Sequence, residues 1–315
     1  MELDNALQIP SEQLQQKHFD AIIAVSGYES RSAYLASKID LSIIKDKIVL
    51  AYNEMNHSLF SDYNDDKFRA MDFTFHQVSS NEISNLPEIL DCICLNNPKK
   101  SLDILIDYSS MSKIWYSGII NYFIELEEIL SDVNLYFSYS PSEYSKSRTT
   151  NIQYNFDSQL PVEYGLKPLA LVLGLGYEKG RSEELGRKIK SQATFAFYAD
   201  PAIDQRFVKD VLENNQTFLK RIEHDQIIKY PIYDLNSINA SLTKLCVNLR
   251  IDHQLVLAPI GPKPFTLMCF ILSARYPDIK IWNVSSSFPD APSDRKPHGE
   301  MLVYKVEFTS EEIDY

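Results

Sequence analysis

Cysteine and glycine are scarce in this chain, with four cysteines and nine glycines among 315 residues. Four cysteines are too few for a disulfide framework at this length, and Cys92 and Cys94, one residue apart, have a poor spacing for a metal site. The low glycine content, together with 15 prolines, excludes collagen-like and low-complexity classes. Hydrophobic residues at 44% and charged residues at 23% are typical of a globular protein and not of a disordered one.

Long apolar runs are absent as well. No run approaches the roughly 18 residues that cross a bilayer, and one of the longest, 170–177, contains two glycines. The first 19 residues lack the basic-then-apolar pattern of a secretory signal. We therefore expect a cytoplasmic protein with no membrane partner.

Positive charge is in deficit, because 31 Lys and Arg residues stand against 43 Asp and Glu residues, for a net charge of −12. A field of this sign repels polyanions, so duplex nucleic acid is not an expected partner. A small anionic ligand is still compatible with this balance, since a cleft can be locally positive in an acidic protein.

The chain contains an internal repeat. Residues 21–39, AIIAVSGYESRSAYLASKI, resemble residues 170–189, ALVLGLGYEKGRSEELGRKI, with Gly-Tyr-Glu in both and five further identities after one inserted residue. Five more β-prone segments match in the same order: 48–52 with 194–198, 73–78 with 226–233, 103–107 with 254–258, 133–138 with 279–285, and 151–156 with 301–306. Six matches in one order favour a duplication over chance.

Helix-sized spacers separate the first five strands of each copy. This pattern predicts an α/β fold of two tandem Rossmann-like domains, 19–157 and 168–308, each a mostly parallel sheet with right-handed crossovers. Two domains also agree with a typical size of about 150 residues each. The spacer before the last strand is too short for a helix, so strands five and six of each copy are expected to form a C-terminal antiparallel hairpin.

Ligands of open parallel α/β sheets bind beyond the carboxyl ends of the strands. After the first strand of each copy stand a glycine suited to a tight turn, a helix start suited to phosphate, and an arginine able to pair with it. These candidate ligand-binding residues are Gly27, Tyr28, Glu29 and Arg31, and in the second copy Gly176, Tyr177, Glu178 and Arg181. The alternative is structural, with the glutamate of each loop paired to the nearby arginine.

The loop after the fourth strand supplies a second group of candidates. In the first copy they are Asp107, Ser109, Ser110 and Lys113, and in the second copy Gly261 and Lys263. A lysine at a helix N-terminus opposes the helix dipole, so it needs a compensating anion. That anion is either Asp107 or a ligand phosphate, and the recurrence of lysine in both copies favours the phosphate.

The loop between strands five and six is polar and basic in both copies and adds Arg295 to the candidates. It is either a solvated charge cluster or a flap that closes over an anionic ligand. The six histidines show no pair at metal-ligand spacing, so the sequence predicts neither a metal nor a cofactor.

The arrangement resembles the CRISPR-associated Rossmann fold (CARF) of nucleotide-sensing proteins. That family's strand-four motif is Asp or Asn, one residue, Ser or Thr, three residues, then Arg or Lys, and Asp107, Ser109 and Lys113 match it. The second copy departs from the motif, because Ala258 stands in place of the acid and only Lys263 is analogous.

The resemblance implies a prokaryotic sensor of antiviral defence. Such a protein would bind a signalling nucleotide, such as a cyclic oligonucleotide, at the carboxyl edges of two pseudo-symmetric sheets and signal to a separate effector protein. Two alternatives stay open: a nucleotide-processing enzyme, phosphodiesterase or ring-nuclease-like, that uses Lys113 and Lys263, and a scaffold subunit of a defence complex without a small-molecule ligand. The sequence leaves the ligand's identity and the oligomeric state open, a homo-oligomer included.

Overall fold

The computed structural model describes most of the chain, namely residues 1–53, 59–80, 82–83, 85–97, 101–126, 130–145, 154–156, 167–282, 284–286 and 294–310. The chain forms two compact units. The first unit is Met1–Glu143 with Pro292–Tyr315, and the second unit is Tyr144–Ala291. No helix within the described ranges is long and apolar enough to cross a membrane.

The first unit is built on a seven-stranded sheet. Its strands, in order across the sheet, are β1 (Glu2–Ile9), β14 (Leu302–Thr309), β6 (Asp132–Tyr139), β5 (Ser101–Asp107), β2 (Ala21–Ser26), β3 (Asp46–Tyr52) and β4 (Thr74–Val78). The last five in this order run parallel, while β14 is antiparallel to both of its neighbours. The helices of this unit are α1 (Leu59–Ala70), α2 (Leu86–Asn96) and α3 (Lys113–Glu125).

The second unit has a five-stranded sheet that is parallel throughout. Its strands, in order across the sheet, are β10 (Ile227–Tyr230), β9 (Ala193–Ala199), β8 (Leu169–Gly174), β11 (Gln254–Pro259) and β12 (Lys280–Ile281). Its helices are α4 (Arg181–Lys188), α5 (Gln205–Asn214), α6 (Gln216–Leu219), α7 (Leu235–Leu249) and α8 (Lys263–Arg275). The described strands β7 (Tyr154–Phe156) and β13 (Val284–Ser286) form a separate antiparallel pair.

The parallel strands of both sheets have the same order, which is third, second, first, fourth and fifth along the chain. The prediction of an α/β fold with mostly parallel sheets is confirmed. The first strand is central in both, and all six side chains of β2 are buried, as expected for a strand covered on both faces. The chain leaves the first and fourth strands towards opposite sides of the sheet, so the crevice for a ligand lies between the loops that follow them.

The predicted C-terminal hairpins are wrong. Strand β14 pairs with β6 over eight residues in the first unit, and β7 pairs with β13. Strand β14 and strand β6 have eight residues each, whereas β12 has only two. Pairing with β6 therefore gives β14 far more backbone hydrogen bonds than pairing with β12 would. The two units consequently differ from the predicted ranges 19–157 and 168–308, because the segment after 291 belongs to the first unit.

The helix expected after the first strand forms only in the second unit. There Gly180, the residue inserted relative to the first copy, has a φ of +82° and precedes α4. A left-handed φ is accessible to glycine at little cost. The first copy lacks this glycine, and the corresponding segment is a short 3-10 helix, Ser30–Ala33, followed by turns.

Candidate functional site

A buried ion pair fixes the loop that follows β2. Arg31 Nε lies 2.8 Å from Glu29 Oε2, and the two side chains are only 2% and 11% exposed. Arg31 Nη1 also donates to the Ser140 carbonyl at 2.9 Å, and the guanidinium lies over the Tyr139 ring. Burial is the largest single influence and lowers the pKa of Arg31, but the attraction and hydrogen bond of Glu29 together with the attraction of Tyr139 outweigh it and raise that pKa. Arg31 is therefore an internal cation of the fold.

Glu29 also binds side chains outside its own loop. Ser110 Oγ donates to Glu29 Oε2 at 3.1 Å, and Arg295 Nε lies 3.2 Å from Glu29 Oε1. Its carboxylate thus joins the loop after β2 to the loop after β5 and to the segment that precedes β14. The contacts of Glu29 and Arg31 agree with the structural alternative, in which the glutamate of this loop pairs with the nearby arginine.

A buried asparagine also holds the loop after β2 in place. Asn64, on α1, donates through Nδ2 to the carbonyl oxygens of Gly27 at 2.6 Å and Glu29 at 2.9 Å. Its side chain is fully buried. The sequence carries no signal for Asn64, since this residue lies in a segment where the two copies share no visible pattern.

The loop after β5 is tied down by its own polar side chains. Asp107 Oδ1 accepts from the Ser109 amide at 3.0 Å, and Ser109 Oγ accepts from the Ser140 amide at 2.8 Å. Ser32 Oγ donates to Ser110 Oγ at 2.9 Å, which joins this loop directly to the loop after β2. Of the predicted candidates, Glu29 and Ser110 are therefore in direct contact at the crevice.

Lysine begins the helix after the fourth strand in both units, as predicted. Lys113 is the first residue of α3 and Lys263 the first of α8, and both are half-buried. The residues before them have nearly the same extended backbone, with φ and ψ of −61° and 144° at Ser112 and −58° and 146° at Pro262. Ser112 does not cap α3 with its side chain, because its Oγ donates to the Ser80 carbonyl.

The segment Asp294–Gly299, which we call the returning segment, lies against the loops of the first unit. Asp294 Oδ1 accepts from the Ser30 amide at 2.7 Å, the Arg295 carbonyl accepts from the Arg31 amide at 3.2 Å, and the Gly299 carbonyl accepts from Tyr34 Oη at 2.8 Å. Arg295 was expected in the second copy. It lies in the first unit instead, since β14 pairs with β6 and draws the preceding residues to that sheet.

The loop after β8 in the second unit has a similar ion pair and similar asparagine contacts. Arg181 Nη1 lies 2.5 Å from Glu178 Oε2, but Glu178 is 29% exposed and the pair is less buried than its counterpart. Asn215 Nδ2 donates to the Gly176 carbonyl at 2.8 Å, as Asn64 does to the equivalent glycine. Neighbouring Asn214 donates to the Tyr177 carbonyl at 2.6 Å.

Glycine brings the loops after β8 and β11 into backbone contact. A Cβ at Gly176 would lie 2.5 Å from the Ile260 carbonyl oxygen, and a Cβ at Gly261 would lie 2.7 Å from the Leu175 carbonyl oxygen. Both distances are too short for any side chain. In this unit the crevice between the loops after β8 and β11 is therefore closed by main chain. The residue at the end of β11 that corresponds to Asp107 is the buried Ala258.

Aromatic rings surround Tyr108, the first residue after β5. Tyr108 is fully buried, and its ring centroid lies 5.4 Å from that of Tyr116 and 5.5 Å from that of Tyr139. Burial raises the pKa of Tyr108 well above its ordinary value, so its phenol stays protonated. Within the described residues, no group of three or more His, Cys, Asp or Glu side chains could hold a metal ion.

Two comparisons with known proteins give no relative. No protein-family model matches the chain, and no curated protein sequence matches it significantly.

Proposed function

We propose that this protein is a nucleotide-binding sensor or regulatory protein of CARF type, with its phosphate contacts at the carboxyl edge of the first sheet. The observation that carries the proposal is the junction of the loops after β2 and β5, where Lys113 begins α3 and Ser32 donates to Ser110 at 2.9 Å. The position is the crevice where ligands of parallel α/β sheets bind.

The chemistry of this junction suits a phosphate ester. The positive end of the α3 dipole attracts an anion, and the Lys113 ammonium adds a full charge. The hydroxyl groups of Ser110 and Ser32 lie at the same junction. Arg31 is not part of the proposed phosphate contacts, because its guanidinium is buried and bonded to Glu29 and Ser140.

The two units are unequal in this proposal. The second sheet has the same strand order and its own helix-start lysine, which supports a pseudo-symmetric origin. Its crevice is closed by contact between the loops of Gly176 and Gly261, so we assign the main phosphate contacts to the first unit. The role in prokaryotic antiviral defence and the separate effector belong to the same proposal and rest on the motif of Asp107, Ser109 and Lys113.

Binding of cyclic and linear oligonucleotides to Lys113→Ala, with Lys263→Ala as the matched control, tests the proposal. Loss of a charge-assisted phosphate contact should weaken binding about ten- to a hundred-fold in Lys113→Ala. We expect little loss of stability, because the change removes a cation from an unfavourable helix end. Unchanged affinity combined with a large fall in melting temperature would assign Lys113 a structural role and end the proposal for this unit.

Chromatography of the nucleotide after incubation separates the sensor from an enzyme. An intact ligand with measurable binding supports the sensor, whereas turnover that depends on Lys113 supports a phosphodiesterase in which this lysine stabilises developing phosphate charge.

A further inference from the structure

The first unit contains a groove of about 480 Å³ next to the loop that follows β2. The turn Ser30–Ala33, helix α1 and the returning segment Asp294–Gly299 form its walls. Its volume lies within the range of roughly 300 to 1,000 Å³ that is typical of small-molecule sites. No residue of this groove is among the candidates of the two loops.

Two lysines face this groove from different elements. Lys67 comes from α1 and is half-buried, with its Nζ 4.3 Å from the centre of the Tyr63 ring, while Lys296 comes from the returning segment and is exposed. In the part of the chain that the structure describes, neither ammonium forms an ion pair with a carboxylate. Two such cations in one concavity attract an anion.

Carboxylates and aromatic rings complete the lining. Asp294 is oriented by Ser30, whose amide and hydroxyl donate to its two oxygens at 2.7 and 3.0 Å, and its oxygens retain lone pairs for further donors. Glu143 lines the groove as an exposed side chain. The Tyr63 ring is 54% exposed, and Tyr34 is held in place through its hydroxyl by the Gly299 carbonyl.

We infer that this groove binds a nucleoside phosphate at a position separate from Lys113. A bare anion would be repelled by the two carboxylates and a cation by the two lysines. A nucleoside phosphate presents a phosphate for the lysines, sugar hydroxyls that donate to carboxylates, and a flat base that stacks on tyrosine. The inference rests on the proposed function, since it assigns a second position to the same ligand class.

Ligand in this groove would also hold the returning segment in place. Asp294 and Lys296 belong to this segment, and the segment connects the second unit to β14 of the first. Because the bound ligand contacts both the segment and α1, binding stabilises the docked segment by mass action. The site therefore couples ligand binding to the docking of the returning segment on the first unit.

Calorimetric titration of the full chain with AMP tests the groove, with adenosine and inorganic phosphate as partial probes. Lys67→Ala and Lys296→Ala should each weaken AMP binding about tenfold, as expected for loss of one charge-assisted contact. Lys209→Ala is the matched control, since Lys209 is an exposed lysine of the second unit that pairs with Glu213. AMP should bind more tightly than either partial probe.

A second readout uses the unaltered chain. AMP should slow tryptic cleavage after Arg295, in the returning segment, while cleavage in the second unit proceeds at the same rate. Undetectable AMP binding at millimolar concentration, or equal affinity in Lys67→Ala, Lys296→Ala and the control, overturns the groove as a nucleotide site.

Lys113→Ala separates this inference from the proposed function. Weaker AMP binding in the Lys67 and Lys296 variants alone supports the groove and counts against the Lys113 site. Weaker nucleotide binding in Lys113→Ala alone supports the proposed function and overturns the groove. Weaker binding in both sets supports both positions.

Discussion

The loops after the first and fourth strands meet in both units, but through different chemistry. In the first unit they meet through side chains, with Ser110 bonded to Ser32 and to Glu29. In the second unit they meet through main chain, with Gly176 and Gly261 packed against the opposite loop. One strand order thus supports a polar crevice in one unit and a closed one in the other.

This difference shows which parts of a duplicated α/β fold are free to diverge. The strand order, the helix-start lysines and the buried asparagines that hold the first loop are common to both units. The strand order and the asparagines stabilise the sheet and the loop backbones, so these two features are needed whether or not a ligand binds. The groups that fill the crevice differ, and with them the chemistry available to a ligand.

The two tryptophans of the chain allow each unit to be followed separately. Trp115 lies in the first unit and Trp282 in the second, and both are buried. Denaturant unfolding of variants made with Trp282→Phe reports on the first unit, and unfolding of variants made with Trp115→Phe reports on the second.

The largest expected effect comes from neutralising the two loop glutamates. Glu29→Gln leaves the fully buried Arg31 guanidinium without its carboxylate, and breaking a buried pair in this way costs about 3 kcal/mol or more. Glu178→Gln removes a more exposed partner and should cost about 1 kcal/mol or less. Urea unfolding followed by tryptophan fluorescence measures both. Equal losses would show that the two ion pairs do not differ in burial as described.

Alanine substitution of the loop glycines should destabilise the second unit more than the first, which is the reverse of the order expected for the glutamate variants. At Gly176 a methyl group would overlap the Ile260 carbonyl, which is main chain and cannot move easily, so the free energy of unfolding should fall by about 1–3 kcal/mol. At Gly27 the nearest atom is Ser32 Oγ at 3.4 Å, an ordinary contact. Gly27→Ala should therefore change stability by less than about 1 kcal/mol. A costly Gly27→Ala would mean that the first crevice is as tightly closed as the second.

The asparagine variants test the part that the two units share. Asn64→Ala strands the Gly27 and Glu29 carbonyls, and Asn215→Ala strands that of Gly176, so each should lose about 1–2 kcal/mol from unsatisfied buried groups. The same unfolding assay applies, with each variant read by the tryptophan of its own unit. A loss confined to one of them would contradict an equivalent role.

The smallest effect concerns pH and the edge strand β4 of the first sheet. Partial burial lowers the pKa of His76, so the unfolded chain binds a proton there at higher pH than the native chain does. The free energy of unfolding should then decrease slightly as the pH falls below about 6.5. His76→Gln should reduce this decrease in the first unit and leave the second unit's transition unchanged. An unaltered pH profile would assign the decrease to other groups.

The sequence by itself determined the parallel sheets and the positions of the loops. Buried apolar runs separated by helix-sized spacers specify strands and crossovers locally, because the side-chain pattern and the spacing together leave few other arrangements. The same local logic located Lys113 and Lys263 at helix starts. Both of these features depend on residues close together in the chain.

Only the tertiary structure decided which long-range partners those elements take. The pattern of β14 suits either sheet equally well, and its pairing with β6 depends on the number of free backbone groups that each edge offers. That choice brings Arg295 to Glu29 and builds the groove with Lys296. The burial of Arg31 and the part played by Asn64 likewise depend on neighbours more than thirty residues away, since hydrogen bonds between distant segments leave no periodic trace in a single sequence.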